Sequence, residues 1–445
     1  MQDKKTTELT GGDWLTIRRH GSWHKAYDQE GIKLYLEANL LDDILFSTYK
    51  ADLTEALILQ FCVTDFFKEN NYEITRIVEI GNDGEYIPKF KNIEYEQKKF
   101  KNCLQTGSYL FQNKEGAKFI LTIEPYQEWV SFSVASLKSK EPSSQTVLEQ
   151  LRTYAEKHNF LKGKKIDAEC NFIYFDTTYT WDDLILAESV KTDIRRNLSN
   201  LVSCREIYRL NNLVVKRGLI FSGPPGTGKS LLGKILCHTT DWTFVWVTPK
   251  HLVRSSDVSK VVSMCRNLAP AILFLEDIDL YGKSRSDNSN AALLGEVMNQ
   301  LDGIQENKDI ITIGTTNDAK VLEEALLDRP GRFDKVIELD KPNKECRIAM
   351  VKRFTSTLNI DKLDWEKLGE FTNNLTGAHI KELVNFAVLL AIDDQSYDEN
   401  KKLILKEIYF KQSLRSVKKK DFSRASSVTG FGKDACSPAP VDWDW

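Results

Sequence analysis

The fold class this sequence predicts is α/β: a parallel sheet covered by helices, followed by a small helical lid domain and preceded by an α+β domain. Three observations carry that prediction. Short apolar strands alternate with helical segments after Trp181, the pattern beyond Pro342 is helical throughout, and between about 31 and 175 one helix-like run mixes with short alternating segments. Alternation of strand and helix builds a parallel sheet buried on both faces, whereas grouped strands build α+β architecture. A chain of 445 residues also exceeds one ordinary core, so several domains are expected.

Taken in order, residues 1–30 lack periodicity and carry Gly11, Gly12 and Gly21, which predicts a flexible arm. His20 and His24 have the spacing of two ligands on one helical face. Gly21 lies between them and no further ligand cluster stands beside them, so no metal site is expected there. Residues 31–175 form the predicted α+β domain, with a helix over Leu53–Phe67, strands over Ser108–Phe111, Phe119–Ile123 and Val130–Val134, and a helix over Gln145–His158. The turn residues Asn113-Lys114-Glu115-Gly116 predict a hairpin between the first two of those strands. No spacing in this domain is tied to a reaction, and partner binding is the role expected of it.

Residues 176–340 form the predicted α/β domain. Its strands and helices alternate as Leu219–Ser222, Lys229–His238, Phe244–Val247, Val258–Arg266, Ile272–Leu275, Ala291–Leu301 and Ile310–Gly314. The lid, residues 341–420, has candidate helices at Lys344–Thr355, Trp365–Phe371, His379–Ile392 and Leu405–Val417. Residues 421–445, rich in Ser, Gly, Asp and Pro, read as a disordered tail; Trp443 and Trp445 there are either a docking peptide or simply a free end.

Composition removes several classes. No run of eighteen apolar residues occurs, so no membrane span is expected, and Met1 to Thr10 lacks the apolar stretch of a secretory signal. The eight cysteines are scattered without a C-x-x-C pair, which argues against a disulfide framework or zinc ribbon and favours a cytoplasmic setting. Net charge is only −3, so nucleic acid is not an expected partner. The one basic cluster, Lys418 to Lys420 with Arg415 and Arg424, reads as the solvated end of a helix. No H-E-x-x-H occurs in these residues, which excludes a zinc protease site of that kind from them.

The chemistry is concentrated in two motifs. Gly223-Pro224-Pro225-Gly226-Thr227-Gly228-Lys229-Ser230 follows the apolar strand Leu219-Ile220-Phe221 and opens a helix with Leu231, the context a phosphate-binding loop requires. Its glycines let backbone N–H groups curl around a phosphate, and the helix adds its positive dipole end. Lys229 is expected to bridge the β- and γ-phosphates of ATP, and Ser230 to offer its hydroxyl to Mg²⁺. The second motif, Ala271-Ile272-Leu273-Phe274-Leu275-Glu276-Asp277, is an apolar strand whose end carries adjacent carboxylates. Hydrolysis of ATP needs one carboxylate to hold magnesium and its neighbour to polarise the attacking water, and this strand end offers both.

From Trp181 to about Lys420 the chain resembles the AAA family of ring-forming ATPases. Thr180-Trp181-Asp182-Asp183-Leu184 is similar to the family's leading segment, which implies that Asp183 and Leu184 lie against adenine. Ile311 to Asn317 resembles the strand ending in the sensor-1 residue, so Asn317 is implied to contact the γ-phosphate or the water. Leu326 to Asp334 resembles the arginine-finger stretch, which implies that Arg329 and Arg332 reach the next subunit's site. Thr376-Gly377-Ala378-His379-Ile380 resembles the sensor-2 region, where Gly377 and Ala378 admit adenine and ribose; with His379 next, no arginine contact to phosphate is implied. The resemblance does not extend to residues 31–175.

Two departures stand out. The usual acidic order, Asp then Glu, is reversed in Glu276-Asp277, an order that also resembles the mitochondrial Rieske-protein translocase branch; matched by position, the resemblance implies Glu276 for magnesium and Asp277 for the attacking water. The pore stretch Lys250 to Ser256 offers Val253, Arg254 and Ser255 where substrate-threading members place an aromatic, and His251 and Arg254 are either substrate contacts or solvated rim residues. The resemblance therefore implies a homo-oligomeric ring, a hexamer, that remodels or translocates a protein partner without an aromatic grip. The alternative is a nucleotide-gated assembly or scaffold with slow hydrolysis. Trp242 and Trp246 are expected to be packing residues.

Overall fold

The computed structural model describes residues 32–78, 88–213, 215–280, 295–297, 299–300, 308–317 and 333–428. Two compact units are present, Met1–Ile173 with Ser263–Ala269, and Tyr174–Val262 with Pro270–Trp445.

In the first unit β1 (Ile44–Asp52) runs into α1 (Leu53–Glu69), followed by β2 (Glu73–Val78), β3 (Lys89–Glu96), β4 (Lys99–Gln112), β5 (Lys118–Pro125), β6 (Trp129–Leu137), α2 (Ser144–Lys157) and the short β7 (Lys165–Asp167). Antiparallel pairing gives the order β1-β6-β5-β4-β2, with β3 also on β4. The expected hairpin joins β4 to β5: Asn113 accepts from the backbone N–H groups of Glu115 and Ala117, and Gly116 takes φ 81°. Asp52 and Ser143 cap the two helices by accepting from Glu55 and Thr146. Cys62, Val63, Phe66 and Phe67 of α1 are buried, as are Phe111, Phe119 and Phe132 of the sheet. The Phe67 and Phe111 rings lie 4.3 Å apart. Aromatic burial of this kind stabilises by roughly 1.5–3 kcal/mol per side chain.

The second unit holds α3 (Glu188–Ile194), α4 (Arg205–Leu210), β8 (Lys216–Ser222), α5 (Lys229–Thr239), β9 (Thr243–Val247), α6 (Ser255–Asn267, grouped with the first unit from Ser263 on), β10 (Ala271–Leu275), β11 (Ile310–Thr316) and β12 (Lys335–Glu338). Its strands run parallel in the order β12-β8-β11-β10-β9. Every residue of β9, β10 and β11 is buried, which is why these segments read as continuous apolar runs rather than alternating ones. The order sets the ends of β8, β11 and β10 side by side, with Ser222 opposite Thr316 and Leu275 opposite Gly314. The helix expected over Ala291–Leu301 falls mostly outside the described residues. The edge strand β12 has no counterpart among the strands expected from sequence, because Lys335-Val336-Ile337-Glu338 is too short to give a period and does not alternate.

The lid comprises α7 (Lys344–Phe354), β13 (Asn359–Asp361), α8 (Trp365–Phe371), α9 (Gly377–Asp393), β14 (Ile404–Lys406) and α10 (Glu407–Val428). The expectation of helix throughout needs correction: β13 and β14 form a parallel pair, three residues each, set by pairing between remote segments rather than by a local pattern. Asn343 and Asp364 cap α7 and α8. Buried Arg347 ties these two helices by donating to the carbonyls of Pro342 and Gly369, each at 2.7 Å. The core is built from Val351, Leu368, Ile380, Leu383 and Phe410. Helix α10 continues to Val428, past the point where the tail was expected to begin. Among the described residues no helix is long and apolar enough to cross a membrane.

Candidate functional site

The end of β8 turns at Gly223 into a loop that closes on Lys229, the first residue of α5. Two glycines make the turn. Gly228 precedes the helix at φ 107°, and Gly226, at φ 80°, would place a Cβ 2.7 Å from the Ala378 Cβ and 2.8 Å from the Thr376 hydroxyl. That close approach is used: the Gly226 carbonyl accepts from the Ala378 backbone N–H at 3.1 Å, joining the loop to the start of α9. Thr227 donates its hydroxyl to the Pro224 carbonyl at 2.9 Å. Lys229, only 5% exposed, donates to the carbonyls of Gly223 and Pro224 at 2.6 and 2.9 Å. Burial lowers its pKa, opposed by the carboxylates of Asp277 and Asp279. The ammonium is thus held inside the loop by neutral acceptors that a phosphate oxygen can replace.

The carboxylates stand at the end of β10. Glu276 accepts from the Ser230 hydroxyl at 2.5 Å through one oxygen and from the Trp246 indole at 3.0 Å through the other. Asp277 takes φ 47°, a left-handed conformation uncommon for a residue with a side chain, and its N–H donates to the Thr315 hydroxyl at 2.9 Å. Its carboxylate accepts from the Asn317 amide at 3.3 Å, and the Asn317 backbone N–H donates to Asp279 at 3.2 Å. Burial, and then the negative charges of Glu276 and Asp279, push the Asp277 carboxyl upward. Ser230 and Glu276, both expected at magnesium, stand in contact, and Asn317, expected at the γ-phosphate or the water, contacts Asp277.

A hydroxyl and a carboxylate already in hydrogen-bond contact are the hard oxygen donors that Mg²⁺ takes, so the residues present fit that ion. Beside them opens a cleft of about 930 Å³. It takes in the loop from Pro225 to Leu231, Asp183 and Leu184, Asp277 and Asn317, and Gly377 and Ala378. Gly223 and Pro224 lie behind Lys229 as its acceptors. Arg329 and Arg332 lie outside the described residues.

Other groups were not legible in sequence. Arg353 on α7 lines the cleft and donates to Asp183 at 2.5 Å, while Asp183 also accepts from the Thr180 N–H at 2.8 Å. The Arg353 hydrogen bond, against a smaller effect of burial, lowers the Asp183 pKa. Lys234 and Lys381 add basic side chains to the cleft wall, and no motif flags either. The ring of His379 is turned back on its own helix, where Nδ1 accepts from the Thr376 N–H at 3.2 Å. In the pore stretch, Nδ1 of His251 likewise accepts from the Thr248 N–H at 3.1 Å, so that nitrogen closes a turn, while Val253 is 50% exposed. Trp246 fills space as expected and also touches Glu276, the contact sequence missed.

A glycine-rich loop entering a helix, with acidic residues at the end of a parallel strand one strand removed and a helical lid above, defines a P-loop nucleotide-binding protein. Residues 219–341 match the family described as "ATPase family associated with various cellular activities (AAA)", and the chain carries an AAA ATPase domain. The chain is 31% identical over 251 residues to the ATP-dependent zinc metalloprotease FtsH 2 of Thermoanaerobacter sp. (strain X514), a match covering 54% of this chain and 48% of that protein. It is 27% identical over 299 residues to the proteasome-activating nucleotidase of Thermococcus onnurineus (strain NA1), covering 64% and 72%. Identity to the 26S proteasome regulatory subunit 8 homolog B of Arabidopsis thaliana is 30% over 274 residues, covering 58% and 63%. The match thus spans about half the length of the first of these relatives.

Proposed function

We propose that this chain binds ATP with Mg²⁺, hydrolyses it, and as a homo-oligomeric ring, a hexamer, uses the cycle to remodel or translocate a protein partner. The observation that carries the hydrolysis is the convergence on one cleft of Lys229, the Ser230–Glu276 contact and the Asp277–Asn317 contact. Lys229 bridges the β- and γ-phosphates. Ser230 and Glu276 hold the magnesium ion, which when bound neutralises charge on the phosphates. Asn317 orients the attacking water and Asp277 accepts its proton. Arg329 and Arg332 complete the neighbouring subunit's site, so activity depends on assembly.

The protein partner is supported by what the relatives' names join: ATP or a nucleotide on one side, a proteasome or a protease on the other. Residues 31–175 recruit that partner, residues 176–340 and 341–420 are the nucleotide and lid domains, and the setting is cytoplasmic. A slow nucleotide-gated scaffold is the second reading, favoured by Asp277, whose carboxylate is one methylene shorter than the Glu usual at that place.

Specific ATPase activity measured against protein concentration tests the proposal. A rate per subunit that rises with concentration, collapses in Lys229→Ala and falls about a thousandfold in Arg329→Ala is the expected result. A rate that stays flat where sizing shows monomers, and ignores Arg329, sinks the shared site. Stimulation of turnover by a protein substrate supports remodelling, and an assembly state switched by ATP alone supports the scaffold.

A further inference from the structure

Strands β9 and β10 are parallel neighbours with Trp246 opposite Phe274 and their ring centroids 4.7 Å apart. Neighbours in register share a face, so Trp246 and Phe274 line the same side of the sheet, and Glu276, one residue past β10, comes within hydrogen-bond reach of the Trp246 indole. The indole is 9% exposed and sits against Phe244 as well, yet its N–H is not spent on a carbonyl. It donates to Glu276 at 3.0 Å, on the carboxylate oxygen that Ser230 does not use.

That geometry answers a difficulty raised by the reversed acidic order. A glutamate has one more rotatable bond than an aspartate, so a carboxylate at the end of it needs more than one anchor to stay in a fixed place. Here donors from two different elements, Ser230 on α5 and Trp246 on β9, take one oxygen each. We infer that Trp246 is a positioning residue that fixes Glu276 for a divalent cation. The inference rests on the reading that Ser230 and Glu276 hold Mg²⁺. A phenylalanine fills most of the same space without the donor, and loss of an outer hydrogen bond to a ligating carboxylate typically costs about 10–100-fold in metal affinity.

The test uses the full chain and a fluorescent ADP, with binding titrated against Mg²⁺ and repeated in EDTA. In Trp246→Phe the Mg²⁺ concentration that half-maximally tightens nucleotide binding rises about tenfold or more, while affinity in EDTA stays near that of the wild type. Glu276→Asp, too short to reach both donors, also raises the Mg²⁺ midpoint, and adding Trp246→Phe to it changes little more, because the partner contact is already gone. An unchanged midpoint in Trp246→Phe, or an equal loss of affinity with and without Mg²⁺, reduces Trp246 to packing and overturns the inference. Should Trp246→Phe fail to fold by circular dichroism, Glu276→Asp decides alone: a midpoint equal to the wild type's overturns it. If nucleotide binding to the wild type ignores Mg²⁺, the magnesium site itself fails instead.

Discussion

Asn317, just past the end of β11, donates its side-chain amide to the carboxylate of Asp277, two residues past the end of the neighbouring strand β10, 3.3 Å away. The contact places the residue expected to sense the γ-phosphate against the residue expected to activate water. It also explains why Asp277 holds a left-handed backbone: Thr315 accepts its N–H and Asn317 takes its carboxylate, so both ends of the residue are fixed by one strand.

Asp277→Asn is therefore expected to lower single-turnover hydrolysis by about 10²–10⁴-fold, the usual contribution of a positioned base, while ATP still binds. Asn317→Ala leaves the carboxylate in place but unoriented and is expected to lose at least about tenfold in rate. Equal activity in Asp277→Asn and the wild type assigns the proton to another group.

Asp183 and Arg353 give a pH-dependent contact between the leading segment and the lid. The folded-state pKa of Asp183 is lowered, so the pair's stabilisation is fully present above the ordinary carboxylate value of about 4 and is lost as pH falls through the lowered one. Thermal melts of Asp183→Asn are expected to fall below the wild type at pH 7 and to meet it below about pH 4. A gap that persists unchanged into acid assigns the effect to packing.

Both partners line the cleft, Asp183 from the leading segment and Arg353 from the lid. Arg353→Ala is expected to speed release of a fluorescent ADP several-fold in stopped-flow measurements, with a fall in melting at pH 7 as small as that of Asp183→Asn, as befits a partly exposed ion pair. Release at the wild-type rate removes the pair from any part in holding the lid.

Gly226 and Gly116 share nearly the same backbone angle, φ 80° and 81°, but only Gly226 has atoms where a Cβ would go. Each substitution by alanine costs about 1–2 kcal/mol for the left-handed backbone. Gly226→Ala is expected to lose more stability than Gly116→Ala and to weaken nucleotide binding at least tenfold, whereas Gly116→Ala leaves binding intact. Calorimetry and a nucleotide titration on the two variants check both points.

What the sequence by itself determined is local. The phosphate loop from Gly223 to Ser230, the acidic strand end and the expected strands β8 to β11 follow from period and turn chemistry within short windows, and the hairpin at Asn113 to Gly116 follows in the same way. The Asn113 side chain and the positive φ of Gly116 are the physical content of that turn. A common place for Ser230 and Glu276 at one ion was expected, because a phosphate loop and an acidic strand end need each other for the same chemistry, while their direct hydrogen bond came from the fold. Only the tertiary structure decided the rest. The donor from Trp246 to Glu276, the ion pair of Arg353 with Asp183 and the parallel pair of β13 with β14 join segments remote in sequence. Strand order, register and lid placement select those partners from many chemically equivalent ones, and a local pattern carries no record of which element will lie alongside it.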